Sequence, residues 1–312
     1  MLARTVNDLV KAGLWPKQKK VIGELELLKL GYQKFYEGKN ADIYFLPGNT
    51  SVLMVRTDRT SVNDILLSDT IEGKAEIQTK ISNFGYDFAE SMGIKTARLK
   101  MPENIPENIV ARAQHIQLAK PLSINVPGIG KTGLELIFRN YLTGSLYKLY
   151  KQGKDPYGLN LPKGLEEWYK FDEPIFTPTT KGTSDEPLDY KFVLDTYPEE
   201  VTQLMNLFKK FTDFAEQKGI VLVDTKFEMF GDMLGDEILT PESSRFIRKS
   251  DFEEGKYYSM DKQILRNYAK EQGWIEKGTK GQLLYVTIPK EIKQKILYGY
   301  QEIYSMLTEG NT

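Results

Sequence analysis

The stretch Gly219-Ile220-Val221-Leu222-Val223-Asp224-Thr225-Lys226-Phe227-Glu228 passes from an apolar run into alternating charge. The apolar half reads as a buried strand, so two carboxylates and a lysine are held on sheet structure, where burying charge is costly without a partner. A pair of divalent-metal ligands would supply that partner. Gly231-Asp232 is a turn candidate and Met233 to Leu239 returns, which would bring Glu228 and Asp236 close across two antiparallel strands. Such a carboxylate pair suits a hard ion such as Mg²⁺, which keeps waters and shares nucleotide phosphate oxygens. A surface hairpin with alternating charges is the other reading of the same residues, and the rest of the chain has to decide.

The chain has 312 residues, longer than one average domain, so two lobes are expected. Apolar residues make up 40% and charged residues 27%, and the net charge is −1. That composition suits a globular protein without the basic field that nucleic-acid binding needs, and it leaves room for local cationic sites for small anions. There is no cysteine, which excludes disulfides, thiolate nucleophiles and cysteine zinc sites. The single histidine, His115, is apolar-flanked and reads as structural, so acid–base chemistry falls to carboxylates and lysines. The beginning Met1-Leu2-Ala3-Arg4 lacks a signal peptide's apolar core and no run of about 18 apolar residues occurs, so a cytoplasmic protein that makes no membrane contact is expected.

Residues 4–13 have weak helical spacing and suggest a short arm. From Leu27 to Arg112 the pattern is of short strands, at Lys34–Glu37, Asp42–Leu46, Ser51–Arg56, Lys95–Lys100 and Ile109–Ala113, interrupted by one helix over Glu76–Met92. This is an antiparallel α+β lobe. Pro121–Gly133, rich in proline and glycine, reads as a loop or insertion near the lobe junction. Leu134–Arg139 reads as a strand, Gly144–Lys151 as the beginning of a helix, and Pro156–Tyr190 as loop-rich. Helices are expected over Pro198–Gly219, Asp261–Gln272 and Pro289–Leu307. The boundaries follow as 1–133 for the first lobe and 134–312 for an α+β second lobe carrying the metal and substrate sites.

Several short motifs invite chemistry. Gly128-Ile129-Gly130-Lys131-Thr132 looks like a phosphate loop, but Asn125 stands where a Walker A glycine is needed and no long helix follows. Gly38-Lys39 at a strand edge allows close backbone approach and a cation for nucleotide phosphates; a surface turn would look alike. Thr57 to Asp64 crowds charges beside hydroxyls as an anion-handling loop would, and as a solvated turn would too. Gly144-Ser145 at a helix start could present backbone N–H groups to a phosphate or carboxylate.

Taken in order, nine runs resemble one family: YEGKNADIY (36–44), VRTDRTSVND (55–64), IEGKAEIQTKISNF (71–84), ELIFRNYLTGS (135–145), YGLNLPKGL (157–165), EPIFTPTTKGTSDE (173–186), VDTKFEMFGD (223–232), DEILTPESSRF (236–246) and MDKQILR (260–266). On these the chain resembles the phosphoribosylaminoimidazole-succinocarboxamide synthase (SAICAR synthetase) family, over about residues 33–307. The resemblance implies a two-lobed, ATP-grasp-like α+β fold with antiparallel sheets and ATP in the cleft between lobes. It implies an ATP-dependent ligase of purine synthesis that joins L-aspartate to carboxyaminoimidazole ribonucleotide (CAIR) through an acyl phosphate. Gly38, Lys39, Glu135 and Lys226 would contact ATP, and Glu228 and Asp236 would bind Mg²⁺. Lys226, Glu228 and Asp236 form the implied catalytic set. Ser61, Asp64, Lys74, Arg139, Ser145, Asp185, Ser244, Arg245 and Lys262 would hold the substrates. Partners are then small molecules, with a monomer or homodimer expected.

The chain departs from the family pattern at Ala41 in place of a second lysine, Ser184 in place of a histidine, Glu242 in place of an aspartate, and an apparent insertion over 123–133. These bear on phosphate contacts and amine handling, so a same-fold ligase with another amine or carboxylate, or a non-catalytic nucleotide-binding relative, are the alternatives.

Overall fold

The structure, a computed structural model, describes residues 23–182 and 185–309. The arm expected over 4–13, and Ser184, lie outside them. The chain divides into two compact units, each discontinuous in sequence: Met1–Phe84 with Ala97–Leu118 and Ser259–Gly310, and Gly85–Thr96 with Ala119–Tyr258. A single boundary at 133/134 does not reproduce this division, because the C-terminal helices belong with the first unit and 119–133 with the second.

The first unit begins with helix α1 (Glu24–Lys29), then strands β1 (Gln33–Glu37), β2 (Ala41–Phe45) and β3 (Ser51–Arg56). The β1–β2 turn is closed by Gly38, whose N–H donates to Ala41 O at 2.8 Å; a Cβ there would lie 2.6 Å from that oxygen, so only glycine fits. Strands β4 (Arg59–Val62) and β5 (Ile65–Thr70) form a hairpin where a charged loop was expected. Its turn residues Asn63 and Asp64 are left-handed, φ 48° and 65°, as a two-residue primed turn requires. The polar sequence of β4 hides a strand all of whose residues are buried.

Helix α2 (Lys74–Ser91) follows, close to the expected span, and its residues from Gly85 onward belong to the second unit. Ala97–Leu118 then gives β6 (Arg98–Leu99), the short helix α3 (Glu107–Val110) and β7 (Ala113–Gln117). The strand expected over Ile109–Ala113 is thus displaced: Ile109 caps the core from a helical turn started by Pro106, and the strand begins where that turn ends. The resulting antiparallel sheet has the order β1-β2-β3-β7-β6. His115 of β7 is structural as read, with its ring nitrogens 2.7 Å from Lys100 O and 2.8 Å from Ser51 Oγ.

The second unit carries β8 (Ser123–Val126), β9 (Gly130–Leu142), helix α4 (Gly144–Lys151), β10 (Tyr169–Phe176), β11 (Thr179–Lys181), α5 (Tyr190–Thr196), α6 (Pro198–Gln217), β12 (Ile220–Phe230), β13 (Met233–Gly235), β14 (Ser244–Arg248) and α7 (Lys249–Glu253). The expected loop at 121–133 is instead a hairpin: β8 pairs with the first residues of the 13-residue β9, and Pro127-Gly128 is only its turn. Seven strands make one sheet around β9 and β12. The unit-1 segment Ser259–Gly310 ends the chain with α8 (Gln263–Glu271), α9 (Trp274–Lys277), β15 (Leu283–Leu284) and α10 (Lys290–Thr308), β15 pairing parallel with β5.

The second unit's core lies between one face of β9–β12 and α6. Val201, Leu204, Leu207, Phe208, Phe211 and Ala215 recur at helical spacing and are buried. Phe138 sits 5.1 Å from Phe176 and 6.0 Å from both Phe208 and Phe227 between ring centroids. Burying each such ring contributes roughly 2–3 kcal/mol. Among the described residues no helix is long and apolar enough to cross a membrane.

Candidate active site

The opposite face of β9–β12 is charged, and a β-bulge makes it continuous. Tyr141 and Arg139 lie on one side of β9; Val223 packs with Tyr141, yet its neighbour Asp224 bonds Arg139. Adjacent residues of β12 thus face the same way, which requires the extra residue that the pairing shows between Leu222 and Asp224. Beyond the bulge the alternation resumes, with Asp224, Lys226 and Glu228 on the charged side and Thr225 and Phe227 on the other.

Lys226 Nζ lies 2.8 Å from Glu135 Oε1 and 2.8 Å from Glu228 Oε1, joining β9 to β12. Lys181, brought in by β11 pairing with β9, forms an ion pair with the other oxygen of Glu228. The expected hairpin forms: Glu228 is opposite Gly235, and Asp236, left-handed at φ 60°, hydrogen-bonds Glu228. Two buried carboxyls side by side cannot both ionise at low cost. Burial pushes Asp236 up to about 7, with the Glu228 charge adding to it. Burial also raises Glu228, but the Lys226 and Lys181 ammonium groups outweigh that and hold it at about 2. The same carboxylates hold the Lys226 ammonium well above its ordinary value against the opposing effect of burial. The two carboxyls thus titrate far apart, Glu228 ionised and Asp236 held near neutrality.

Further along the same face Asp224 takes two arginines. Arg139 Nη1 donates to its Oδ2 at 2.6 Å and Arg245 Nε to its Oδ1 at 2.9 Å, with a second bond from Arg245 Nη2. Arg139 Nε also donates to Thr177 Oγ1 at 2.9 Å and its Nη2 reaches Ser145 Oγ at 3.4 Å. Two guanidiniums on one carboxylate leave a net positive charge beside the start of α4, whose N-cap Thr143 supplies no side-chain cap. Gly144, φ 63°, sits at that start because a Cβ there would lie 2.8 Å from Arg245 Nη1.

Ser244 is not brought to this cluster. Ser244 Oγ lies 2.7 Å from Thr225 Oγ1 on the apolar side of β12, and Asp185 is exposed on the segment after β11. Within the first unit, Lys39 pairs with Asp64, Lys262 Nζ is 3.4 Å from Ser61 Oγ, and the fully buried Lys74 reaches Asn40 Oδ1 at 3.3 Å. Burial raises the Asp64 carboxyl, but Lys39, Lys280 and Lys262 together hold it below its usual value. Gly38, whose carbonyl accepts from Arg59 Nη2 at 2.7 Å, completes this second gathering of cations.

The SAICAR synthetase family's sequence profile matches residues 34–280. The chain belongs to that family. It is 33% identical over 299 residues to the phosphoribosylaminoimidazole-succinocarboxamide synthase of Histophilus somni, covering 91% of this chain and 100% of the relative. The corresponding enzyme of Desulfotalea psychrophila is 34% identical over 288 residues, 88% of this chain and 94% of the relative. A solved SAICAR synthase from Saccharomyces cerevisiae, complexed with SAICAR, superposes with a TM-score of 0.73 at 27% identity, covering 95% of this chain and 99% of that one.

Two residues of this SAICAR-synthetase-family site escaped the sequence reading. Lys181 closes the PIFTPTTK run and its signal was the alternation Thr179-Thr180-Lys181, which places it beyond Glu135. Asp224 opens the decisive stretch, yet its work as the shared acceptor of two arginines depends on the bulge, which no spacing rule shows.

Proposed function

We propose that this chain is the ATP-dependent ligase that condenses CAIR with L-aspartate to SAICAR, ADP and phosphate in de novo purine biosynthesis. Family membership over nearly the whole chain supports the reaction. The observation that carries the site is the single charged face on which the Glu228–Asp236 pair, two lysines and two arginines are laid out in line.

A carboxylate is a poor acceptor for an amine. In this reading the ribonucleotide carboxylate is first phosphorylated by ATP, and the aspartate amine then displaces phosphate. Arg139, Arg245 and Ser145 hold the anionic ribonucleotide, and Asp224 keeps both guanidiniums aimed at it. Lys226, fixed between Glu135 and Glu228, and Lys181 offset the charge of the transferring phosphoryl group. Gly38 and Lys39 contact the ATP phosphates through a turn in which only glycine fits. Ser61, Asp64, Lys74 and Lys262 complete the substrate contacts. Most of the acceleration comes from positioning and charge, which asks nothing of histidine or cysteine.

The donor set fits Mg²⁺. Among the described residues no group of three or more His, Cys, Asp or Glu is arranged to hold a metal, and Mg²⁺ asks for only one or two carboxylates beside waters and phosphates. Glu228 and Asp236 would hold it, displacing the proton of Asp236. When bound it supplies Lewis-acid polarisation and charge neutralisation at the phosphates. We place the enzyme in the cytoplasm, as a monomer or homodimer acting on small molecules only.

Release of ADP from Mg²⁺-ATP and CAIR, with and without L-aspartate, tests the reading, together with mass detection of the amide. Aspartate-dependent SAICAR is expected. ADP release and amide formation only with another amine would move the assignment to a diverged ligase, for which Ala41 and Ser184 are the motivating departures in the sequence.

A further inference from the structure

The end of α2 and the residues after it, Gly85–Thr96, belong to the second unit although the start of the helix does not. Phe88 anchors this segment on α6, its ring centroid 5.2 Å from that of Phe211 and 5.4 Å from that of Phe214. From there it supports the hairpin that leads to Asp236. Lys95 Nζ donates to Asp232 Oδ2 at 2.7 Å in the β12–β13 turn, and Lys95 O accepts from Leu234 N at 2.9 Å in β13. Further up the helix, the hydroxyl of the fully buried Tyr86 donates to Asp236 O at 3.2 Å. The neighbouring Gly85 lets the chain beyond Asp236 come close, since a Cβ there would lie 2.8 Å from Ile238 O.

Asp236 needs such support. It follows the last residue of β13 and is left-handed at φ 60°, as is Leu239 at φ 56°. Aspartate visits this region more readily than most residues, but a particular one stays there only where its neighbours over-determine it. The strand ladder does not supply this, because the β12–β13 pairing ends with Glu228 opposite Gly235. The Tyr86 hydroxyl bonds the carbonyl of Asp236 itself and so fixes the peptide plane between Asp236 and Glu237. With that plane held, the backbone cannot relax, and the Asp236 carboxyl stays against Glu228. Phenylalanine would fill the same space, and only the hydroxyl supplies the bond.

We propose that Tyr86 is a positioning residue of the acid pair, its hydroxyl holding Asp236 in the left-handed conformation that keeps the carboxyl beside Glu228, ready for a divalent cation. The inference rests on the reading above, in which this pair holds Mg²⁺. Tyr86 acts through the main chain of Asp236 rather than on metal or substrate. Partners that orient a metal ligand are commonly worth roughly ten- to hundredfold in metal affinity.

The test is Tyr86→Phe, with Mn²⁺ titrated into the nucleotide-free chain and followed by electron paramagnetic resonance. Removing the hydroxyl should weaken Mn²⁺ binding by roughly tenfold and raise the Mg²⁺ concentration for half-maximal turnover by the same factor, with the KM for CAIR unchanged. Combined with Asp236→Asn, Tyr86→Phe should add little, because the two substitutions act on one ligand. Unchanged Mn²⁺ binding, whether or not the melting temperature falls, overturns the proposal, and so does full additivity of the two substitutions. Should the wild-type chain bind no Mn²⁺, it is the metal reading that fails. A crystal structure of the metal-free Tyr86→Phe chain then decides. Asp236 turned out of the left-handed region, or away from Glu228, supports the positioning role; an unchanged φ with the pair intact overturns it.

Discussion

The two faces of β9–β12 are made by the same two strands, yet they obey opposite rules. On one side Phe138, Phe227 and Leu136 meet α6 and are wholly buried. On the other Glu135, Arg139, Asp224, Lys226 and Glu228 are also largely covered, but each of them is ion-paired within the face. Apolar packing is non-directional and tolerates exchange at constant volume, whereas a covered charge network fails when one partner is removed. The difference teaches that burial alone does not locate a core: what fills the space decides whether the face holds the fold or handles a ligand.

The sharpest way to break the comparison is at Glu228. Glu228→Gln should lower turnover with Mg²⁺-ATP at least about a thousandfold, because it removes a proposed metal ligand and the charge that Lys181 and Lys226 share, leaving Lys226 with Glu135 alone. Steady-state turnover in excess Mg²⁺ measures it, and wild-type-like rates would sink the metal assignment. On the apolar face, Phe138→Ala should cost about 3–5 kcal/mol in denaturant unfolding while the folded fraction keeps its KM values. A loss of activity without loss of stability would show that the two faces are not separable.

Arg245→Met should raise the KM for CAIR about a hundredfold with that for ATP little changed, which separates the arginine pair from the acid pair on one face. An equal rise in both would remove its assignment to the ribonucleotide. Gly144→Ala should act in the same direction but more weakly, roughly tenfold, since its Cβ pushes Arg245 aside at a strained φ. A structure of that variant with Arg245 unmoved would contradict the cause.

The smallest effect concerns pH. Asp236 has its carboxyl raised from 3.8 to about 7, so the folded metal-free chain binds this proton more tightly than the unfolded chain. Its contribution to stability is full below 3.8 and is lost as pH rises through about 7. Glu228 works in the opposite sense, losing its contribution only as pH falls from 4.5 toward about 2. From pH 4.5, above the range of Glu228, up to about 7 the melting temperature of the wild-type chain should fall by a few degrees relative to Asp236→Asn as pH rises. Parallel curves for the two proteins would place the raised carboxyl elsewhere.

Much of this was legible in the residues. The β12–β13 hairpin, α4 and α6 follow from turn chemistry and periodicity, since Gly231-Asp232 has no competing role and the phenylalanines of α6 recur at helical spacing. The β8–β9 hairpin was not legible: Pro127, Gly128 and Gly130 signal a break, and the length of β9 is set by partners on both sides rather than by its own sequence. Strand β4 was hidden for a related reason, its Arg59, Thr60 and Ser61 being buried by tertiary contacts that override their polar character. At the site, residue types were readable and sidedness was not. Ser244 and Arg245 are neighbours in sequence but point to opposite faces.

The bulge at Val223–Asp224 gives β12 something like a reading frame, with two residues to the codon. Because one residue is already absorbed there, a chain lacking Val223 would still be in phase, a plain strand with every later side chain on its present side. Loss of a single residue at Lys226 has no such slack, and would carry Glu228 out of the ligand face and into the phenylalanines beneath it.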